Sequence, residues 1–401
     1  MNQDFIFISE SVTEGHPDKL CDQISDAIVD HFLEQDPFAR VRAECAVSNS
    51  ILFIAARFAS EVRADIPNLA RKVISQVGYA RPDFDAKTCS ILTSLQEYPP
   101  DADLIFDEMR LKPEEFDRLA ARQQATVFGF ACRQTEAFLP LPIFLAHRLA
   151  REIMIARRER GLTYLSPDAK VQVGVEYRQR RPVRLQSLTL VVSGALEEVE
   201  TITRRRLEED MRGAVIEPAL AGQPLQPDND TQIFINPLEN LMVGGPAVHS
   251  GLTGRKNATD TYGEYARHSG NALSGKDPLR IDRIGAYAAR YAAKNVVAAG
   301  LAEECEVVLC YSIGLARPAS IQVETFGTGK LSDDRLAAIV ARTFDFRPVP
   351  LLRTFQLRHL PARHHGIFYR ALAAYGQVGR TDLPLPWEAT DRVEELKHFL
   401  S

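Results

Sequence analysis

The sequence is poor in the features that mark secreted, membrane-spanning and nucleic-acid-binding proteins. It has six cysteines in 401 residues, with neither the short paired spacing of a disulfide framework nor the histidine pattern of a structural zinc site. No apolar run approaches the roughly eighteen residues of a membrane-spanning helix, and the N-terminus shows no basic leader before an apolar core. A formal net charge of −5 argues against a nucleic-acid surface. We expect a soluble cytoplasmic protein without membrane or nucleic-acid partners.

What the chain does have is the composition of an ordinary globular protein. Hydrophobic residues make up 45% and charged residues 25%, which argues against disorder and coiled coil, and the length allows two or three domains. Helical and strand patterns alternate with a faint threefold repetition. They predict a mixed α+β fold of three similar α/β domains, with helices packed on mixed sheets. The proline-rich stretches Glu97–Asp103 and Gly222–Asp230 place these domains at about residues 1–105, 106–230 and 231–401.

The predicted elements follow from hydrophobic spacing. Period-two patterns predict two strands within 41–60, separated by a turn at Ser48–Ser50, and further strands at 87–96, 169–178, 185–194, 231–237, 305–314 and 320–327. Period-3.6 patterns predict helices at 62–79, 112–129, 141–161, 197–220, 283–302 and 332–344.

One short stretch near the start carries an unusual set of polar residues. In "SVTEGHPDKLCDQISDAIVDHF" (Ser11–Phe32), a helical apolar face begins at Leu20, which puts Pro17 at the first helical position. His16 and Asp18 then ring a helix N-terminus, where free N–H groups attract anions and a carboxylate suits Mg²⁺. An ordinary helix cap is the alternative on this motif alone.

Three further segments carry cations beside glycine or aspartate. "GGPAVHSGLTGRKNATDTYG" (Gly244–Gly263) is glycine-rich and holds Arg255 and Lys256, which suit a polyphosphate, although a plain surface loop is equally compatible with it. "GNALSGKDPLRIDR" (Gly270–Arg283) nearly matches a phosphate-binding loop, but its last position is aspartate and no buried strand precedes it. Its charged residues, Lys276, Arg280 and Asp282, and the pair Asp168 and Lys170 remain candidates for a polyphosphate site built from several segments.

Together these motifs resemble the S-adenosylmethionine synthetase family over nearly the whole chain. The matching stretches include "SESVTEGHPDK", "DQISDAIVD", "PDAKVQV", "FINP", "VGGP", "GLTGRK", "DTYG", "SGKDP", "DRIGAYAARYAAKNVVAAGLA", "FDFRP", "AAYGQVGR" and "PWE". The resemblance implies three intertwined α/β domains and a homodimer or homotetramer with active sites between subunits. It also implies that the sulfur of methionine attacks C5′ of ATP and expels triphosphate, which is then hydrolysed to pyrophosphate and phosphate.

The same resemblance assigns roles residue by residue. His16 would stabilise the departing oxygen, because charge develops on the leaving triphosphate. Asp18 and Asp282 would hold Mg²⁺, two ions to a site, and Glu44 would match the family's K⁺ ligand. The phosphates would be gripped by Lys170, Arg255, Lys256 and Lys276. Arg280 stands where the family usually has lysine, which keeps the charge and changes its geometry.

The residues expected around the amino-acid substrate depart from the family pattern. Arg57 aligns with the glutamate that receives the methionine ammonium, and Tyr98 aligns with a glutamine near the methionine. His249 replaces an aspartate and is fixed in the alignment by "GGP" before it and "GLTGRK" after it. Drift with compensation elsewhere, or an alignment slip at Arg57, would also account for these differences. Otherwise methionine would bind less tightly than it does in the family.

The gate and the nucleotide pocket also differ. The family's glycine-rich gate aligns with "AARQQA" (Ala120–Ala125), where Gln123 replaces aspartate and no glycine remains, so we expect a fixed helix in place of a flexible lid. Leu241 aligns with the phenylalanine expected to stack on adenine, and "STQH" becomes "SGAL" (Ser193–Leu196). Ile313 is the apolar pocket residue that still matches.

Three hypotheses therefore stand at this stage. The first is methionine adenosylation with altered contacts, and we adopt it. The second is the same triphosphate-cleaving transfer from ATP, or another nucleotide, to a different acceptor, such as one bearing a carboxylate or phosphate. The third is a non-catalytic nucleotide-binding partner of a true synthetase. The retained cations and carboxylates favour an enzyme over the third hypothesis.

Overall fold

The computed structural model describes residues 4–82, 84–194, 199–238 and 241–400. Its strands are β1 (Phe5–Val12), β2 (Arg40–Ser48), β3 (Ile51–Ala59), β4 (Ala80–Arg81), β5 (Phe84–Asp85), β6 (Ser90–Glu97), β7 (Ala125–Cys132), β8 (Leu165–Arg178), β9 (Arg181–Gly194), β10 (Gln232–Ile235), β11 (Met242–Val243), β12 (Gly251–Leu252), β13 (Glu304–Tyr311) and β14 (Ser320–Glu324).

Its α-helices are α1 (Pro17–Gln35), α2 (Ile66–Val77), α3 (Leu141–Glu159), α4 (Arg204–Met211), α5 (Glu217–Leu220), α6 (Asn257–Asp260), α7 (Ile281–Ala298), α8 (Asp333–Thr343), α9 (Pro348–Phe355), α10 (Leu360–Arg363), α11 (Tyr369–Leu372) and α12 (Val393–Lys397). In the described part of the chain, none of these helices is both long enough and apolar enough to cross a bilayer.

Three larger sheets, each packed against helices, form the core. One has the strand order β1-β8-β9-β10, with β11 also paired to β9, and packs against α3. A second has the order β12-β2-β3-β6 and packs against α1, and the third, β14-β13-β7, packs against α7. Each sheet contains both neighbouring and sequence-distant strands, such as β1 beside β8 and β7 beside β13. The predicted fold class, helices on mixed sheets with intertwined segments, is confirmed.

The second sheet buries one face and exposes the other. Alternation along β2 and β3 turns residues such as Val41 and Ile54 toward α1, where they are almost fully buried. The opposite face carries large apolar side chains that remain 40–56% exposed, namely Ile51, Phe53, Leu92 and Leu252. Large exposed apolar side chains on one sheet face indicate a surface that another molecule covers.

Charged residues of α1 are buried and paired, and they fix this helix to the C-terminal segments. Asp26 accepts two hydrogen bonds from Arg283, both 2.8 Å long, and a third from the backbone N–H of Gly275. Lys19 bonds Asp22 at 2.9 Å and also pairs with Asp260. Because a buried ion pair needs good geometry to offset desolvation, these contacts define the position of α1.

The helix predicted over 112–129 is wrong. A short 3₁₀-helix covers Pro113–Arg118, and β7 begins at Ala125. The strand forms because it pairs with β13, and Gly129 lets α7 lie directly on it, since a Cβ there would come within 1.9 Å of the Ala289 carbonyl carbon. Helical spacing in this window was produced by residues that belong to two different elements.

The helix predicted over 197–220 is correct only from Arg204 onward. Residues 199–203 are not helical, and α4 begins at Arg204 behind a Thr203 cap. A π-helical turn, Arg212–Ile216, interrupts the helix before α5. Glu197 and Glu198, together with Ala195 and Leu196 of "SGAL", lie outside the described residues.

Candidate active site

The N-terminus of α1 is built as the sequence predicts. Pro17 is the first helical residue, and His16 caps the helix by accepting a 3.2 Å hydrogen bond at Nδ1 from the backbone N–H of Asp18. Asp18 Oδ1 accepts a 2.9 Å bond from the backbone N–H of Leu252. The "GLTGRK" segment therefore lies directly against this helix start, and Gly251 permits it, because a Cβ there would be 2.1 Å from the Pro17 carbonyl carbon. The cap and the candidate site are the same structure.

Two histidines and an aspartate from separate segments meet beside this terminus. His249 Nε2 lies 2.7 Å from Asp168 Oδ2, and the rings of His16 and His249 are 4.9 Å apart between centroids. Asp168 Oδ2 also accepts a 2.8 Å bond from the backbone N–H of Gly245. The "PDAK", "GHPDK" and "VGGP" motifs thus converge on one carboxylate.

Burial sets the protonation of this group. It lowers the pKa of His16 to about 3, against the opposing attraction of Asp168. The charges of His249, Lys256 and Lys170 lower it further, so the His16 ring is neutral at physiological pH. Burial by itself would raise the pKa of Asp168, but the hydrogen bond with His249 and the neighbouring His16 lower it overall. The carboxylate is therefore ionised beside a neutral imidazole.

Three of the predicted phosphate ligands belong to the same group. Arg255 Nη1 is 3.6 Å from Asp18 Oδ1, and Lys256 Nζ bonds Glu10 Oε1 at 2.5 Å. Lys170 is exposed on β8, and its charge acts on His16. The structure brings these cations to one place, as expected for binding a polyanion.

The remaining predicted phosphate ligands, Lys276 and Arg280, belong to a second group around Asp282. Lys276 Nζ and Gln123 Nε2 both bond Asp282 Oδ2, at 2.5 and 2.6 Å, and Asn271 Nδ2 bonds Oδ1 at 2.9 Å. Arg280 Nη1 lies 3.5 Å from Gln123 Oε1. Among the described residues, no hydrogen bond or ion pair joins this group to the one around His16.

The expected K⁺ ligand Glu44 and two of the residues expected around methionine, Arg57 and Tyr98, lie on or beside the exposed face of the second sheet. The third, His249, lies beside Asp168 instead. Glu44 Oε1 accepts two bonds from Arg42, 3.0 and 2.6 Å long. Arg42 on β2 is paired with Arg57 on β3, and the backbone of Arg42 also forms an isolated antiparallel β-bridge with the backbone of Lys276. Tyr98 is 43% exposed just after β6. The residues on this face are therefore continuous with the group around Asp282.

The two apolar residues expected in the nucleotide pocket differ in exposure. Leu241 is only 2% exposed and packs on Gly194, where a Cβ would be 2.2 Å from Leu241 Cδ2. Ile313 is 62% exposed and borders an open cavity with Leu119 and Ala121. Ala121 is held beside it by two 2.9 Å backbone hydrogen bonds, one to Leu315 and one from Gly314.

Sequence reasoning did not single out three polar partners of the site. Glu10 pairs with Lys256, Asn271 bonds Asp282, and Arg42 pairs with Glu44. Glu10 and Asn271 lie inside the motifs already quoted, so their polar character was the available signal. Arg42 gave none, because an arginine on a strand is usually only a solvated side chain.

Comparison with known proteins identifies the family to which the chain belongs. Three family models match in order: the S-adenosylmethionine synthetase N-terminal domain at residues 4–100, the central domain at 118–241 and the C-terminal domain at 243–389. Proteins named S-adenosylmethionine synthase are similar over almost their whole length. Those of Synechococcus sp. (strain JA-3-3Ab) and Trichormus variabilis are each 45% identical, covering 98% and 100% of this chain and 97% and 98% of their own. That of Acaryochloris marina is 46% identical and covers 100% of this chain and 98% of its own.

Proposed function

The chain belongs to the S-adenosylmethionine synthetase family, and from that premise we propose how its residues carry out methionine adenosylation. The thioether sulfur of methionine donates a lone pair to C5′ of ATP as the bond from C5′ to the triphosphate oxygen breaks. The products are S-adenosylmethionine and triphosphate, and water then cleaves the triphosphate to pyrophosphate and phosphate. The relatives named S-adenosylmethionine synthase favour this reaction over transfer to another acceptor and over a non-catalytic role.

The observation that carries the assignment is the meeting of His16, Asp18, Arg255 and Lys256 at one helix N-terminus. We assign His16 as a neutral hydrogen-bond donor to the departing oxygen, because burial keeps its pKa near 3. A preorganised donor of this kind acts where charge develops in the transition state. Arg255, Lys256 and Lys170 hold the phosphates, Asp168 contacts the substrate, and His249, which is bonded to Asp168, borders the amino-acid substrate.

The carboxylates of Asp18 and Asp282 fit a hard cation by their chemistry. Burial raises the pKa of Asp18 despite a backbone hydrogen bond and nearby cations, so its charged form gains from a metal ion. We assign Asp18 and Asp282 as Mg²⁺ ligands and Glu44 as the K⁺ ligand. When bound, Mg²⁺ offsets the negative charge of the triphosphate. The hydrogen bonds that Asp282 accepts from Lys276, Gln123 and Asn271 compete with such an ion for the carboxylate oxygens.

We further propose that a complete active site needs two copies of the chain. Within one copy, and among the described residues, no hydrogen bond or ion pair joins the group around His16 to the group around Asp282. The second group borders the sheet face on which Ile51, Phe53 and Leu92 are exposed, and large apolar side chains exposed together on one face suit a partner. A homodimer or homotetramer joined through this face would bring one copy's His16 group to the other copy's Asp282 group.

A single assay tests the reaction. The protein is mixed with ATP, Mg²⁺ and K⁺, with and without methionine, and the products are followed by mass spectrometry and phosphate release. We expect S-adenosylmethionine, pyrophosphate and phosphate only when methionine is present. Phosphate release without the sulfonium product, or no nucleotide turnover by a folded protein, would overturn the assignment.

The two-copy proposal has its own test. Inactive His16→Asn and Asp282→Asn variants are mixed after partial unfolding and refolding, so that mixed assemblies form. If sites are shared, one site in a mixed dimer keeps both groups intact, and activity returns to a measurable fraction of wild type. No recovery in assemblies shown to be mixed would place both groups within one copy.

A further inference from the structure

Three side chains of metal-binding type meet at a place that no assigned metal occupies. His16 precedes α1, Asp168 is on β8 and His249 lies in the loop before β12. One ligating atom of each lies within 4.8 Å of the other two. In the part of the chain that the structure describes, no other group of three His, Cys, Asp or Glu side chains comes this close. The juxtaposition joins segments up to 233 residues apart in sequence, from His16 to His249.

The carboxylate at the centre of this group has one oxygen without a partner. Asp168 is 5% exposed, and among the described residues its Oδ1 accepts no hydrogen bond. Its Oδ2 is bonded by Gly245 and His249. An unsatisfied oxygen of a buried carboxylate is costly, and such atoms need an explanation, of which a cation is one. This is a second observation, independent of the spacing of the three residues.

The donor set selects the kind of ion. Two imidazoles and one carboxylate are a preferred ligand set for Zn²⁺ and related transition metals, with a fourth position open to water. Mg²⁺ prefers oxygen ligands only. Bonds of about 2.0–2.2 Å in a tetrahedral site hold the donor atoms about 3.3–3.5 Å apart. The 2.7 Å contact between His249 and Asp168 therefore widens slightly on binding, or Oδ1 becomes the ligand.

Surrounding contacts hold the ligands in place. Ser193 Oγ donates to the Asp168 carbonyl oxygen at 2.5 Å, and Asp18 Oδ2 lies 3.7 Å from His16 Nδ1. A metal-bound imidazole usually donates its other N–H to a carboxylate or carbonyl. Binding of the ion through His16 Nε2 therefore requires Nδ1 to give up the bond that it accepts from the Asp18 N–H and to take a proton instead.

We propose that His16, Asp168 and His249 form a binding site for one divalent transition-metal ion of the Zn²⁺ type, separate from the Mg²⁺ positions assigned to Asp18 and Asp282. The ion coordinates the same His16 ring that the departing triphosphate uses. Because both use His16, this ion and Mg-ATP exclude one another, and the transition metal acts as an inhibitor of adenosyl transfer. This consequence rests on the proposed function.

The binding test uses the full chain, freed of metal and nucleotide. Co²⁺ is added and its visible absorption recorded, since a four-coordinate Co²⁺ ion with histidine ligands absorbs far more strongly than the aqueous ion. Zn²⁺ affinity is measured by calorimetry. We expect one ion per chain. The variant His249→Gln keeps a hydrogen-bond donor for Asp168 but removes one imidazole ligand. We expect it to lower the affinity for Zn²⁺ at least about tenfold.

A matched control separates this site from adventitious binding at surface histidines. His364 and His365 are adjacent on the protein surface, and the double variant His364→Gln/His365→Gln should leave the Co²⁺ spectrum and Zn²⁺ affinity unchanged. Loss of binding in the double variant, or unchanged binding in a His249→Gln protein with wild-type thermal stability, would overturn the proposal. Absence of any stoichiometric Co²⁺ site in the wild type would show that His249 and Asp168 form only a hydrogen bond.

The inhibitory consequence is measured separately. Adenosyl transfer is assayed with Mg²⁺ and a chelator selective for Zn²⁺, then with added Zn²⁺. We expect inhibition that increasing Mg-ATP relieves and that His249→Gln weakens by the same factor as its loss of Zn²⁺ affinity. A chain that binds Zn²⁺ at this site without adenosyl transfer would refute the proposed function alone. A chain that is active but binds no Zn²⁺ would refute the metal site alone.

Discussion

Gln123 donates its side-chain amide to Asp282 across 2.6 Å, and this bond ties the segment before β7 to the first turn of α7. The same carboxylate oxygen also accepts Lys276. Two residues before Gln123, the backbone of Ala121 forms two hydrogen bonds with the loop after β13. The segment expected to replace the family's flexible gate is therefore held at both ends, although it is not the helix that its spacing predicted.

Replacing Gln123 with alanine is expected to ease Mg²⁺ binding. The variant frees part of Asp282, and one hydrogen bond is worth about 0.5–1.5 kcal/mol, which corresponds to about a two- to tenfold lower half-saturating Mg²⁺ concentration. The measurement is the rate of S-adenosylmethionine formation against free Mg²⁺ at fixed Mg-ATP. Gln124→Ala, at the exposed neighbouring position, is the matched control and should leave the Mg²⁺ dependence unchanged. An unchanged dependence in Gln123→Ala would mean that Asp282 does not bind the ion.

Replacing His16 with asparagine is expected to lower kcat by about 100- to 1000-fold, the usual cost of losing one donor to a developing anion. Asparagine is chosen because it can still cap α1, so helix stability is kept. Activity is measured with saturating ATP and methionine, and thermal unfolding confirms the fold. A near-normal rate would show that His16 serves only as a cap.

Reversing the charge of Arg57 is expected to strengthen methionine binding. Arg57 pairs in register with Arg42, so two cations flank the place assigned to a positively charged ammonium group. Arg57→Glu should lower the methionine KM by about tenfold or more, because a hydrogen bond to a charged group contributes about 1.5–3 kcal/mol. Steady-state kinetics with varied methionine gives the value, and the KM for ATP should not move.

Arg205→Glu controls for the change in net charge. Arg205 is exposed on α4, where it pairs with Glu209, and it lies far along the chain from Arg57. A methionine KM that is unchanged in Arg57→Glu would mean that this position does not face the substrate ammonium.

The long elements were predictable because each has a single periodicity. The helices α1, α3 and α7 repeat apolar residues at helical spacing over many residues, although α1 and α7 are buried on nearly every side, and parts of β8 and β9 alternate between buried and less buried residues. The strand β7 was not recognised, because its stability comes from pairing with β13, which lies far along the chain. Pairing partners of that kind leave no local signal, and local spacing then favours the wrong element.

The charged residues of the site were predictable from their motifs, but their partners were not. Asp168, His249 and His16 lie in three separate motifs, and only the fold shows that one carboxylate contacts both a histidine and a backbone N–H. The position of Leu241 in the nucleotide pocket stays a prediction. Its burial depends on β11 pairing beside Gly194, a contact that no local pattern encodes.

Restoring an aromatic side chain at Leu241 is expected to destabilise the protein. Leu241 is 2% exposed against Gly194, and adding atoms to a packed position usually costs about 1–3 kcal/mol. Leu241→Phe should therefore lower the free energy of unfolding by that amount in urea. Leu238→Phe is the matched control, because Leu238 is 93% exposed. Unchanged stability together with a lower KM for ATP would show that the position opens to receive adenine.

The last prediction concerns the pH dependence of stability. His147 on α3 bonds Ser11 Oγ through Nδ1 at 2.8 Å, and burial lowers its pKa to about 3, helped by the charges of Arg380, Arg151 and Lys19. Its pKa in the unfolded chain is near the ordinary 6.5. Between these values the unfolded chain binds the proton more readily than the folded protein does. Stability therefore falls as pH drops from about 6.5 toward 3.

The contribution of His147 is isolated by comparing wild type with His147→Gln, whose side chain can still bond Ser11 but does not titrate. One proton changes the slope by at most about 1.4 kcal/mol per pH unit, so the wild type should lose stability more steeply than the variant from pH 6.5 downward. Burial raises the pKa of Asp30 to about 7, which acts in the opposite direction, but equally in both proteins. Urea unfolding at several pH values gives the two slopes. Parallel curves would mean that His147 has the same pKa in the folded and unfolded chain, which would contradict the lowered pKa.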